Sequence, residues 1–313
     1  MKTLLSFLLS IIILAPCEAQ KVKPVLNLVK GNTYYTVSTV TSSIVQSYNG
    51  QDVTVAVDMT SKTAYNITDV KDTIYTMQVS YANIAMKIVS PNGTVEMNSD
   101  KKDSTDMSSS FLSAMINKPF SVTITKSGRV LEVKNIEGII TSIFAGMPQM
   151  DETQKAQMKA QFMQSFGESA FKGNLEQTLA IYPPVKVSKG NSWVINTTLQ
   201  SVMAANISTT YQLQDITDTY YQIHGDAKIT SANDGKVSEI NGMPVKYDLN
   251  GTLASDIKAD KKTGWVIEEK LKTRCIRNYR HPGQPKNPRR HESSNEDPFR
   301  YYYNGSLMGE VRG

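Results

Sequence analysis

Residues 74–90 read IYTMQVSYANIAMKIVS. Apolar side chains recur at every second position, at Met77, Val79 and Tyr81, and again at Ile84, Met86 and Ile88 after one shift of register. A period of two is the pattern of a half-buried strand, whose side chains point alternately to core and solvent. The single shift marks a bulge inside one long strand.

The same pattern extends upstream. Tyr35, Val37 and Thr39 alternate, with Ile44 and Tyr48 following across a bulge, and Val53, Val55 and Val57 begin a strand that ends near Asn66. Asn49-Gly50 between them is a hairpin turn, because both residues tolerate positive φ. Downstream, Pro91-Asn92-Gly93 turns the chain into a short return strand, Thr94 to Met97. A polar loop at 99–110 follows, in which Asp106 is placed to cap a short helix carrying Phe111, Leu112 and Met115. Phe120 to Thr125 and Arg129 to Val133 form a tight hairpin about Lys126-Ser127-Gly128.

Helical spacing then takes over. Asn135 caps a stretch with Ile136, Ile139, Ile140, Ile143 and Phe144 on one face. The clearest helix runs from Glu152 to Lys172, with Asp151 and Gln154 as a capping box and Gly173 as the expected stop. Met158, Phe162, Phe166 and Ala170 recur every four residues in it, with Met163 beside them.

A second meander begins after Tyr182-Pro183-Pro184-Val185 and Gly190. Trp193, Ile195, Thr197 and Leu199 alternate, as do Tyr211 and Leu213, and then Tyr221, Ile223 and Ala227. Turns are expected at Asn233-Asp234-Gly235 and Asn241-Gly242, and strands at 247–258 and 265–277 meet across Asp260 to Gly264.

These elements specify an α+β fold that is mainly β. Two β-meanders make one long curved antiparallel sheet, with a helical insert at about 107–172 packed on the concave face. A pair of smaller sandwiches is the alternative. Residues 20–278 form a single domain. Residues 279–313, with prolines at 282, 285 and 288 and basic residues at 289 and 290, show no period and read as a flexible charged tail in which Tyr301 to Tyr303 are a docking candidate.

The first nineteen residues carry an export signal: Lys2, an 11-residue apolar run from Leu4 to Leu14, and a small-residue cleavage site ending at Ala19. Lipidation at Cys17 is the competing route, disfavoured by Pro16 because proline disturbs the extended pose a protease needs. The expected location is the periplasm, the outer-membrane surface or the exterior. Eleven apolar residues fall short of the ~20 that span a bilayer, and no later run approaches that length, so no transmembrane segment is expected after cleavage. Cys275 is then alone, and a small buried apolar role suits it.

Net charge is +5 and spread along the chain, with no basic stripe interleaved with aromatics, so nucleic acid is not an expected partner. The histidines are His224, His281 and His291, and none joins a carboxylate or cysteine cluster at ligand spacing. There is no glycine-rich phosphate loop and no Gly-x-Ser-x-Gly elbow. Asp256 and Asp260 bracket a turn but are too few for a calcium cage. Tyr81 to Asn83, Ser99 to Lys102 and Lys262 to Gly264 match pieces of the penicillin-binding motif set in the wrong order. Asn66, Asn92, Asn196, Asn206, Asn250 and Asn304 head glycosylation sequons. No catalytic residue, metal or cofactor is expected, and the chain reads as a non-enzyme.

Leu28 to Tyr34, Ile44 to Gly50, the hairpin Phe120 to Val133, Tyr182 to Val185 followed by Gly190 to Trp193, and Lys262 to Trp265 occur in an order that resembles a family of exported bacterial proteins of unknown function, common in Bacteroidetes-type Gram-negative bacteria. The resemblance covers 25–278 and implies no catalytic residues. The architecture it implies is similar to the curved half-barrels of periplasmic lipoprotein carriers.

The expected function is non-catalytic binding of an apolar ligand such as a lipid or acyl chain. Met158, Phe162, Met163 and Phe166, with Ile139, Ile143 and Phe144, are the expected binding residues, since a Met/Phe face adapts to varied apolar surfaces. The alternative is an envelope scaffold or protein-interaction module whose partner is another envelope protein.

Overall fold

A computed structural model describes residues 21–48, 51–101, 106–145, 151–200, 204–232, 238–240, 243–280 and 299–312. The export signal with Cys17, the turns at 49–50, 233–235 and 241–242, and residues 281–298 lie outside the described residues.

The first meander is β1 (Thr33–Tyr48), β2 (Gln51–Lys71), β3 (Ile74–Ser90) and β4 (Gly93–Asn98), each antiparallel to the strand before it. The register shift read in 74–90 is a bulge: Tyr81 lies opposite Thr63 and Asn83 opposite Lys62, which leaves Ala82 without a partner position. Tyr75, Met77, Val79 and Ile84 on this strand are buried.

The insert follows as α1 (Met107–Met115), β5 (Phe120–Thr125), β6 (Val130–Lys134), α2 (Ile136–Ala145), α3 (Glu152–Phe166) and α4 (Glu168–Leu179). The Asp106 carboxylate accepts the Ser109 N–H at 3.0 Å, and Asp151 accepts that of Gln154 at 2.8 Å, so both expected caps are present. The single helix expected from Glu152 to Lys172 is two helices. The Gly167 N–H closes on Met163 O, and a Cβ at Gly167 would lie 2.3 Å from that oxygen, so glycine permits the break. Gly173 is buried inside α4 and does not stop it; the insert continues to Leu179.

The second meander is β7 (Ser192–Gln200), β8 (Ala204–Ile216), β9 (Tyr220–Ser231), the short β10 (Ser238–Ile240), β11 (Met243–Asp260) and β12 (Val266–Arg280). A last strand, β13 (Phe299–Arg312), corrects the reading of 279–313 as a flexible tail: residues 279 and 280 belong to β12, and 299–312 are strand. β13 pairs with β1 on one side and β12 on the other. Two strand edges each offer a row of unpaired N–H and C=O groups, and a run rich in aromatic and β-forming residues satisfies both at once. The glycines at 305 and 309 obscure its period in the sequence.

The sheet is open and curved, with strand order β6-β5-β3-β2-β1-β13-β12-β11-β9-β8-β7; β4 extends it beside β3, and β10 pairs with the start of β11 in a small separate ladder. Its edge strands, β6 and β7, both pack against α4. The Val130 N–H of β6 donates to Glu176 Oε1 on α4 at 2.9 Å, and Gln177 of α4 donates to the Thr197 hydroxyl on β7. Arg129 reaches across to the Asn196 carbonyl at 2.8 Å. One helix therefore covers both edges, which would otherwise template pairing with another chain.

Residues 21–32 tie together segments distant in sequence. Val22 and Val187 exchange backbone hydrogen bonds, the Leu26 N–H donates to Lys126 O in the β5–β6 turn, and the Asn27 N–H donates to Thr263 O in the β11–β12 turn. The main core lies beside this segment. Trp265 is fully buried between the rings of Tyr34 and Tyr65, at 5.1 and 5.2 Å, and its indole N–H donates to Tyr35 O at 3.2 Å. A smaller apolar cluster on β8, β9 and β11 comprises Ala205, Ile207, Ala227, Ile229 and Leu249, with Cys275 packed against it.

Candidate functional site

The helices gather four phenylalanines. The Phe111 ring of α1 lies 5.3 Å from Phe144 of α2 and 4.0 Å from Phe162 of α3, and Phe162 stacks on Phe166 at 4.9 Å. Phe111 and Phe144 are buried, whereas Phe166 is 37 % exposed. The row therefore leads from the core to the surface. α3 rests on α2 and α4.

The seven residues expected to bind an apolar ligand divide by depth. Ile143 and Phe144 are buried, and Ile139, Phe162 and Met163 are partly buried against the main core. Met158 and Phe166 lie at the outer rim, with Met158 40 % exposed. Phe111, which joins the rings of α2 and α3, is marked by the sequence as a core residue of its own helix alone; its partners are brought to it by tertiary packing. Two open grooves, of about 350 and 700 Å³, include none of the seven. The larger follows β11, where Thr252 and Ala254 lie between Lys228 on β9 and Lys272 and Arg274 on β12.

Polar side chains singled out in the sequence have structural roles. His224 faces away from the core, as its alternation with Ile223 requires, with Nδ1 2.7 Å from Asp256 and Nε2 3.3 Å from Asp226. The hydrogen bond to Asp256 leads in raising the His224 pKa. Asp260 is spent on its own hairpin, where one carboxylate oxygen accepts the Lys262 and Thr263 N–H groups and the Thr263 hydroxyl. Ser99 accepts the Ile84 N–H at 3.0 Å, so it braces β3. No cluster of three metal-ligating side chains occurs among the described residues.

One interior group escaped the sequence reading. Glu269 lies on the face of β12 that also carries Leu271, directly opposite Ile257, and is only 8 % exposed. It has no hydrogen-bond or ion-pair partner among the described residues, and burial alone pushes its carboxyl up to about 8. The signal was present in the alternation Ile267, Glu269, Leu271, Thr273, Cys275: a carboxylate at a core-facing position. Nearby, the register Tyr211, Gly225, Ser255 runs across β8, β9 and β11. Burial raises the pKa of the Tyr211 phenol, and the charge of Glu269 raises it further, so the two groups are electrostatically coupled.

No helix among the described residues is long and apolar enough to cross a membrane. A comparison with curated proteins finds no match. Among solved structures, the chain is similar to lipovitellin, in a study of its lipid–protein interactions, with TM-score 0.47 and 8% identity over 91% of this chain; it spans 26% of the lipovitellin chain. It is also similar to the COG4313 outer membrane channel from Pseudomonas putida F1, with TM-score 0.29 and 7% identity, covering 92% of this chain and 97% of that one. A family model, described as a family of unknown function (DUF6263), matches residues 72–266. The chain belongs to this DUF6263 family.

Proposed function

We propose that this is an exported envelope protein that binds an apolar molecule, such as a lipid or acyl chain, beneath α3. The observation that supports this reading is the row of phenylalanines from buried Phe144 and Phe111 through Phe162 to the rim at Phe166 and Met158. Aromatic and methionine side chains exposed in one row form a surface that gains by covering. α3 rests on other helices, so its displacement breaks no strand ladder. An acyl chain inserted between α3 and α2 would exchange ring–ring contacts for ring–chain contacts while the sheet stayed fixed.

The test is titration of residues 20–313 with a fluorescent fatty-acyl probe, beside native mass spectrometry of protein purified from its own envelope. Saturable binding, lost in Phe162→Asp with the far-ultraviolet spectrum intact, is the expected result. Absence of saturation with any apolar probe, together with a clean mass, would overturn the reading. Fractionation of the producing cells tests the location: full recovery in the cytosol with residues 1–19 still attached would refute export.

A further inference from the structure

The solvent face of the second meander carries a polar trough. On β8 and β9 every second residue is exposed there, while Ile207, Ala227 and Ile229 between them are buried. Two rows cross the strands on this face. In one, Ser208, Lys228, Thr252 and Arg274 stand opposite one another; in the next, Thr210, Asp226, Ala254 and Lys272 do. Thr252 and Ala254 are short and their neighbours on β12 are long, so β11 is the floor of the groove of about 700 Å³, with β9 and β12 supplying its walls. Those walls stand two strand spacings apart, about 10 Å. At Ser208 and Lys228 a second depression of about 270 Å³ adjoins it and continues to β7, with Asn196, Thr198, Asn206 and Thr230 on the same face. The larger end is cationic. Lys228 and Lys272 are exposed and form no ion pair among the described residues, whereas Lys87, Lys189, Lys258 and Lys270 each meet a carboxylate. Arg274 adds a third positive charge, and the Asp226 carboxylate in this groove lies 3.3 Å from His224 Nε2.

We propose that this trough binds an acidic saccharide. Its carboxylate or sulfate groups lie between Lys228, Lys272 and Arg274, and its neutral hydroxyls meet the amides and hydroxyls toward β7. The three cations donate charge-assisted hydrogen bonds to the acid groups. Asn, Ser and Thr side chains both donate and accept, as a sugar hydroxyl requires of its partners. Two adjoining depressions, cationic at one end and neutral at the other, match a ligand of several units that carries both kinds of group. An acidic peptide fits less well, because the backbone of β8, β9, β11 and β12 is already paired on both sides and offers no edge for an added strand. An anionic bilayer fits less well too, because Asp226, Asp256 and Glu268 share this face with the lysines. The trough lies on the opposite side of the sheet from the buried apolar residues, so this inference stands apart from the apolar-ligand reading.

The experiment is isothermal titration of residues 20–313 at pH 7 with tetragalacturonate, its full methyl ester, a chondroitin sulfate tetrasaccharide, tetraglutamate, and vesicles of mixed phosphatidylglycerol and phosphatidylcholine. At least one of the two acidic saccharides is expected to bind saturably, and tetragalacturonate about tenfold or more tighter than its ester. Raising sodium chloride from 50 to 200 mM should weaken the acidic saccharides, a readout on the wild type that needs no variant. The double variant Lys228→Glu with Lys272→Glu, both at exposed positions, should lose at least tenfold in affinity for them, while Lys71→Glu, the same charge change at the exposed end of β2, should not. Failure of both acidic saccharides to saturate would overturn the proposal. So would equal affinity for tetragalacturonate and its ester, or undiminished binding by the double variant. Tighter binding of tetraglutamate or of the vesicles would assign the trough to a peptide or a membrane instead.

Discussion

Replacing Glu269 by glutamine should change how the stability of the protein depends on pH. Its carboxyl titrates near 8 in the folded chain against 4.5 when exposed, because burial disfavours the ionised form. Between those two values the unfolded chain gives up a proton that the native chain keeps, so stability falls as pH rises, and the fall ends once pH passes the folded value. Each pH unit inside that window costs about 1.4 kcal/mol. From pH 5 to pH 9 the difference amounts to about 4 kcal/mol, a large share of the ~5–15 kcal/mol that holds an ordinary domain together. Urea unfolding at unit steps of pH, on wild type and Glu269→Gln, isolates this contribution because every other titrating group is common to both. The two stability curves should diverge by about 4 kcal/mol across the range, with the variant the more stable at pH 9. Curves that stay parallel would refute the reasoning and place Glu269 in water.

Trp265→Ala should destabilise by about 3–5 kcal/mol, seen as a lower urea midpoint, since a fully buried indole packed between Tyr34 and Tyr65 leaves a cavity. Gly128→Ala should cost more than about 2 kcal/mol, because φ is +81° and the new Cβ would fall 1.8 Å from Leu179 O, a backbone atom that cannot move aside. Asp256→Asn should lower the titration midpoint of His224 in an NMR titration, as it removes the hydrogen bond that leads in raising it. The stability held by that raised pKa is present below 6.5 and is lost as pH climbs through the folded value, so the variant should lose stability at pH 5 and little at pH 9. Gly305→Pro should destabilise by about 3 kcal/mol or more, because β13 is bonded on both sides and neither ladder can spare an N–H; unchanged melting would contradict its place between β1 and β12.

The two meanders were legible because their strands are half-buried, and half-burial writes itself as a period of two. The bulge at Ala82 and the caps at Asp106 and Asp151 were legible for the same local reason. Gly173 misled because a glycine stops a helix only where the backbone needs it, and here Gly167, pressed against Met163 O, comes first. β13 was missed because what makes it a strand is not in its own residues: it is held by two edges contributed by distant parts of the chain. At the candidate site, the stripe on α3 was plain from its four-residue spacing, but Phe111 joins it only through packing between helices. Glu269 was readable in principle, since it occupies a core-facing position between Ile267 and Leu271.

The place of β13 sets the order in which this molecule can assemble. β1 and β12 each bond to β13 rather than to each other, and β1 is separated from it in sequence by residues 49–298. Each meander can form its own hairpins while the chain is still being made, but the two halves have no shared ladder until residue 312 has appeared. Contacts of such long sequence separation are slow to form because the intervening loop must close first. Until then two long strand edges face solvent, the state in which a β protein most readily pairs with the wrong chain. A protein built this way gains from a partner that shields those edges during synthesis, and its slowest folding step should be the insertion of one strand into a gap left for it.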